Sequence, residues 1–85
     1  MMTLKQYNEW DGTFTMNERD EAEKAEKAMF KTMTEDEIDQ YFDLCTKHVY
    51  ALIDFGKTEE RKTARALYKF CKEHNFSIEQ AMMVY

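Results

Sequence analysis

Apolar side chains recur every three to four positions along most of this chain, which is the spacing of one face of an α-helix. The repeat predicts four helices, over residues 16–33, 35–55, 59–74 and 78–84. A Thr or Ser followed three residues later by Glu or Gln can cap a helix start, because each residue's side chain can bond the other's backbone amide. Three such pairs precede predicted helices: Thr15 with Glu18, Thr34 with Glu37, and Ser77 with Gln80.

The first fourteen residues carry two conflicting signals. Tyr7 and Trp10 repeat at a helical period of three, whereas Asp11-Gly12 is a common turn pair of β-hairpins. Within residues 3–14 a helix that is capped by Thr3 and ends at Gly12 is favoured over a hairpin, because the apolar positions do not alternate as they would in a strand. In either conformation, Trp10 and Phe14 are expected to cover one end of the core.

The predicted helix 35–55 is the main core element, since its apolar residues occupy about half of its circumference. These residues are Ile38, Tyr41, Phe42, Cys45, His48, Val49, Leu52, Ile53 and Phe55. The predicted helix 59–74 is amphipathic, with an apolar side and an opposite basic side. Together the elements predict an all-α fold, a single domain over residues 1–85 built as a bundle of four to five short helices.

Composition agrees with this fold and bears on the location of the protein. The 85 residues include two Gly and no Pro, so the usual residues of β-turns and flexible linkers are scarce. No stretch approaches the ~20 apolar residues of a membrane span, and the N-terminus lacks the pattern of a signal peptide. Two cysteines are too few for a secreted disulfide scaffold. We therefore expect a soluble cytoplasmic protein without a membrane partner.

The formal net charge of −5 is unevenly distributed. Residues 1–43 hold twelve acids against five bases, and residues 44–85 hold five acids against seven bases. The acids predict a surface that docks on a basic site of another protein, such as a nucleic-acid-binding site, and thereby inhibits or modulates it. The alternative is an ordinary solvated surface. The candidate partner-binding residues are Glu18, Glu21, Glu35, Asp36, Asp39 and Asp43.

The basic side of the predicted helix 59–74 offers a different function. A ridge of cations can contact the phosphates of a nucleic acid, although acidic residues interrupt it here. Two other interpretations remain open, a solvated face and a contact with the acidic half of a neighbouring copy. The candidate residues are Arg61, Arg65, Lys69 and Lys72.

Two Cys-x-x-His pairs, Cys45 with His48 and Cys71 with His74, are the most specific chemical pattern in the chain. If the two helices form an antiparallel hairpin that turns near residues 57–60, both pairs lie at the same height. They would then offer four tetrahedral ligands to zinc, the one cofactor that the sequence indicates. The alternative is that both cysteines are core thiols, because Cys is among the most buried residue types.

The C-terminal segment is apolar on nearly all sides, so it either closes the bundle or forms a homodimer with another copy. No catalytic motif accompanies these features: the chain has no glycine-rich phosphate loop, no His-Glu-x-x-His sequence and no nucleophilic serine elbow. We therefore expect a non-enzymatic, acidic, helical protein–protein interaction module. A zinc-stabilised module and a nucleic-acid-binding protein are the alternatives.

Overall fold

The computed structural model describes the backbone of residues 1–85 and every side chain except that of Phe55. A π-helical segment, Ala51–Phe55, joins the third helix to the fourth. No strand occurs in this described part of the chain, so the predicted all-α fold is confirmed. A helix also forms in the N-terminal segment, as favoured, but it ends at Glu9, before the predicted end at Gly12. The five α-helices are α1 (Leu4–Glu9), α2 (Met16–Phe30), α3 (Glu35–Tyr50), α4 (Gly56–Glu73) and α5 (Ile78–Val84).

Reciprocal side-chain caps fix the starts of the first three helices. At α2, Thr15 Oγ1 accepts the backbone N–H of Glu18 at 3.1 Å, and Glu18 Oε1 accepts the backbone N–H of Thr15 at 3.0 Å. Equivalent caps start α1 and α3. The pair predicted for α5 behaves differently, because the Ser77 hydroxyl donates to Gln80 Oε1 at 2.9 Å and caps no backbone amide.

The turn between α3 and α4 comes earlier than predicted. Gly56 has φ 74°, a conformation that glycine adopts without strain, and α4 begins there rather than at residue 59. The wider turn of the π-helical segment takes the following residues out of the apolar face of α3. Leu52 and Ile53, both predicted in the core, lie within this segment and are 48% and 71% exposed. Phe42, also predicted in the core, is one position from the buried Tyr41 and so lies at the edge of the apolar face of α3, where it is 42% exposed. The predicted core residue Phe55 lies outside the described side chains.

A single core joins all five helices. α3 packs antiparallel to α4, while α5 packs against both α2 and α4, and α1 packs against α4. The buried residues of α5 show that it closes the bundle, which was the first of the two alternatives for the C-terminal segment. The core residues are Tyr7, Met29, Tyr41, Cys45, Ala64, Leu67, Phe70, Cys71, Phe76, Ile78 and Ala81.

Aromatic rings cover the end of the core near α1. Trp10 is half-buried and lies against Tyr7, with 5.9 Å between the ring centroids. Phe14 lies beside Trp10 at 6.5 Å between centroids and remains 40% exposed. Among the described residues, none of the helices combines the length and apolar content that crossing a bilayer requires.

A sharp turn after α4 sets the position of α5. Asn75 has φ 56°, and the next backbone N–H, that of Phe76, donates back to the Cys71 carbonyl at 2.9 Å. This bond and the left-handed Asn form a common helix-ending motif. It directs Phe76 into the core and starts α5 against α2, which brings Glu79 next to the N-terminal residues.

Candidate functional site

Four of the six predicted partner-binding residues share one side of α3. At ~100° per residue they fall within about a third of the helix circumference, opposite the buried residues Tyr41 and Cys45. All four are exposed. We call this surface the α3 acidic face; it consists of Glu35, Asp36, Asp39 and Asp43.

Helix stability accounts for only part of the α3 acidic face. Glu35 and Asp36 lie in the first turn, where acids stabilise the positive end of a helix. Asp39 and Asp43 lie one and two turns further on, beyond the reach of that effect. Only Asp43 forms an ion pair among the described side chains, with 2.8 Å between its Oδ2 and Lys47 Nζ, and that pair is exposed. Asp39 therefore has no described role in the fold, and Asp43 contributes to it only through this exposed pair.

The other two predicted partner-binding residues, Glu18 and Glu21, belong to a different surface. They line a depression of about 370 Å³ between the start of α2 and α5, in which no residue of the α3 acidic face takes part. The structure therefore divides the six predicted residues between two sites. We call the depression the Glu79 cavity; its other lining residues are Met1, Met2, Ser77, Glu79, Gln80 and Met83.

Glu79 is the residue of this cavity that the sequence reasoning missed. Its signal was a single acid inside an otherwise apolar C-terminal segment. The side chain is only 7% exposed, and its Oε2 accepts the backbone N–H of Met2 at 3.0 Å. Its Oε1 is buried and has no hydrogen-bond partner among the described residues.

The four predicted basic residues form, together with Lys57, a continuous ridge along the exposed side of α4. Their spacing of three to four positions aligns them over roughly 22 Å at 1.5 Å per residue. No cation of the ridge takes part in an ion pair within the described side chains. Lys72 Nζ lies 5.8 Å from the ring centroid of Tyr68. We call this ridge the α4 basic face; it consists of Lys57, Arg61, Arg65, Lys69 and Lys72.

The two cysteines of the predicted zinc site lie in the core, but the two histidines are engaged elsewhere. Cys45 and Cys71 are fully buried, and burial raises the pKa of each thiol to about 12. His48 contacts Tyr7 and Thr63, while His74 Nε2 lies 3.6 Å from Glu37 Oε2 at the surface. No group of three or more metal-ligating side chains that could hold an ion occurs among the described residues.

The register of the hairpin explains this separation. The prediction placed His48 opposite Cys71, but the earlier turn at Gly56 places it opposite Thr63, about two helical turns away. Phe70 likewise lies opposite Tyr41, with 6.2 Å between the ring centroids. The predicted common height of the two Cys-x-x-His pairs is therefore wrong. The zinc-stabilised module stays a prediction, and this register gives it no support.

Buried His48 joins three helices through its two ring nitrogens. The Thr63 hydroxyl donates its only proton to a backbone carbonyl of α4, that of Glu59, at 2.7 Å. Thr63 Oγ1 must then accept from His48 Nδ1–H at 2.9 Å, so His48 Nε2 accepts the Tyr7 O–H at 2.7 Å. Burial lowers the pKa of His48 below its ordinary value, which favours the neutral imidazole that these bonds require.

Comparison of the chain with protein-family models, with curated proteins and with solved structures found no match.

Proposed function

We propose that this protein is a non-enzymatic interaction module that acts in the cytoplasm and docks its α3 acidic face on a basic surface of a partner protein. The observation that carries the proposal is the placement of Asp39 and Asp43. They continue the acidic side of α3 past the turn in which acids stabilise the helix itself. The buried, unpaired thiols agree with a reducing compartment.

The docking mode follows from the exposure of these carboxylates. An exposed ion pair contributes only ~0.2–1 kcal/mol, so several must act together to give a useful affinity. A row of like charges also steers a basic partner during the encounter, which raises the association rate at low salt. If the partner's basic surface also binds another ligand, docking of the α3 acidic face would block that ligand and so inhibit the partner.

The experiment measures binding of a fluorescent decalysine peptide by anisotropy at low salt. The test variant combines Asp36→Asn, Asp39→Asn and Asp43→Asn. Its affinity should fall about tenfold, because three ion pairs of roughly 0.5 kcal/mol each are lost. Circular dichroism should show the helical content of the wild type.

The matched control removes three exposed acids outside α3, through Glu9→Gln, Asp20→Asn and Glu73→Gln. It has the same net charge as the test variant, so its affinity should stay within about twofold of the wild type. Equal weakening of both variants would mean that decalysine responds to net charge alone, and the α3 acidic face would then not be a docking surface.

Nucleic-acid binding through the α4 basic face is the second candidate function. The observation in its favour is the absence of ion pairs along this ridge among the described side chains, which leaves its cations available to phosphates. Leu4 of α1 and Tyr68 line a shallow depression beside Arg65 and Lys69, which gives the ridge an apolar edge. The formal net charge of −5 opposes this function at long range.

A further inference from the structure

The Glu79 cavity combines three carboxylates with apolar walls. Glu18 and Glu21 stand at its exposed side, and the buried Glu79 contributes to its lining. Its volume of about 370 Å³ lies within the ~300–1,000 Å³ of small-ligand sites. The cavity is therefore large enough for one side chain of a partner protein.

The bonding of Glu79 indicates what that side chain must supply. One oxygen accepts the Met2 backbone N–H, and the other is buried without a partner among the described residues. A buried acceptor that lacks a hydrogen bond is destabilising, and a buried carboxylate normally has a cationic partner. No ion pair of the described side chains includes Glu79. The unused oxygen can accept a hydrogen bond from a group that enters the cavity, and a cationic donor would in addition offset the charge of the carboxylate.

A guanidinium fits these surroundings better than an ammonium. Its planar fork of donors can bond one carboxylate with two parallel hydrogen bonds and still reach a second. The side chains of Met2 and Met83 line the cavity and suit the apolar stem that carries such a group. We propose that the Glu79 cavity binds the guanidinium of an arginine side chain presented by a partner protein. The inference rests on the proposed function in one respect: both assume that the partner is a basic protein.

The experiment titrates ¹⁵N-labelled protein with N-acetyl-arginine-methylamide and follows the amide chemical shifts. Saturable shifts are expected at residues 18–21 and 78–83, with a dissociation constant of about 1 mM for so small a probe. The lysine analogue should bind about fivefold more weakly, because it lacks the fork of donors. The citrulline analogue, which has the same shape without the charge, should cause no saturable shift in the cavity.

Glu79→Gln is the decisive variant, and Asp20→Asn is its matched control. Both remove one negative charge, but Asp20 is exposed on α2 and does not line the cavity. Arginine affinity should fall about tenfold or more in Glu79→Gln and stay unchanged in the control. If Glu79→Gln does not fold, Glu18→Gln combined with Glu21→Gln serves instead, and it should weaken binding about fivefold.

Three results would overturn the inference: no saturable shift in the cavity, equal affinity for the lysine analogue, or full arginine affinity in Glu79→Gln. The α3 triple variant separates this inference from the proposed function. It should bind the arginine probe as the wild type does, while its decalysine affinity falls. Loss of one binding activity without the other thus identifies which proposal fails.

Discussion

His48 shows how a single buried polar residue can hold several helices together. Tyr7 of α1 donates to one ring nitrogen, and Thr63 of α4 accepts from the other, so α3 is bonded to two neighbours at one point. Protonation would turn Nε2 into a donor, so the Tyr7 O–H would lose its acceptor and would have to rotate to accept instead. Glu60 of α4 offsets only part of the desolvation that disfavours the imidazolium.

Stability should therefore fall as the solution is acidified through the ordinary pKa of histidine. In the unfolded chain the imidazole takes up a proton near pH 6.5, whereas the folded state, with its lowered pKa, takes it up only at lower pH. The stabilisation is complete above about pH 6.5 and is lost below it, by at most about 1.4 kcal/mol per pH unit. Urea unfolding at about pH 7.5 and about pH 5.5 measures this loss.

Two histidine variants isolate the residue responsible. His48→Gln removes the titrating group and should reduce the loss between these pH values, whereas His74→Gln, at the partly exposed contact with Glu37, should retain it. The same loss in the wild type and in His48→Gln would show that other groups control stability in this range.

At the scale of helices, signals between residues close in sequence were the most reliable, although the pair Ser77 and Gln80 formed no cap. The caps at Thr15 and Thr34 depend on residues three positions apart, so the sequence alone predicts them, and it also predicts the presence of each helix. The exact end of α3 was not predictable, because a π-helical segment has no sequence signature comparable to a cap. The position of the turn sets which residues of α3 lie opposite which residues of α4. Because the turn comes earlier than predicted, the two Cys-x-x-His pairs do not lie at the same height.

The candidate sites also differ in whether they depend on residues close in sequence or on the packing of distant segments. The α3 acidic face was predictable because its members share one helix, where spacing alone determines the face. The Glu79 cavity was not, since it depends on how α5 packs against α2 and on where the N-terminal residues lie. Contacts between residues more than seventy positions apart, such as Met2 with Glu79, leave no local pattern in the chain.

The proposed nucleic-acid binding by the α4 basic face can be tested on the helix as a whole, because its cations are spread along most of α4. If the ridge binds a nucleic acid, affinity for a single-stranded or duplex oligonucleotide should fall steeply with salt, because bound cations displace counterions from the phosphates. Arg61→Gln, Arg65→Gln and Lys69→Gln together should reduce the slope of log affinity against log salt by roughly 2–3.

The matched control for the ridge lies at the C-terminal part of α2, where Lys24, Lys27 and Lys31, the residue after the helix, are also exposed. Replacing these three lysines with Gln removes the same charge and should leave the slope nearly unchanged. No binding of either oligonucleotide at low salt, or an equal effect of both triple variants, would exclude the α4 basic face as a nucleic-acid site.

Over the whole molecule, the two largest single-sign faces lie on different helices. The α3 acidic face and the α4 basic face belong to two neighbouring antiparallel helices, yet no described ion pair joins them. The Glu79 cavity adds a second acidic site near α5. If both proposals hold, a basic partner would contact the molecule at two places, with an arginine in the cavity and a row of basic groups along α3.

The most direct test of the central claim locates where a basic probe binds. Titration of ¹⁵N-labelled protein with unlabelled decalysine at low salt should shift the amides of residues 35–43 most strongly, and raising the salt should reverse these shifts. Shifts spread evenly over the exposed acids of α1, α2 and α3 would contradict the account. The protein would then attract basic partners through its net charge, without a docking face.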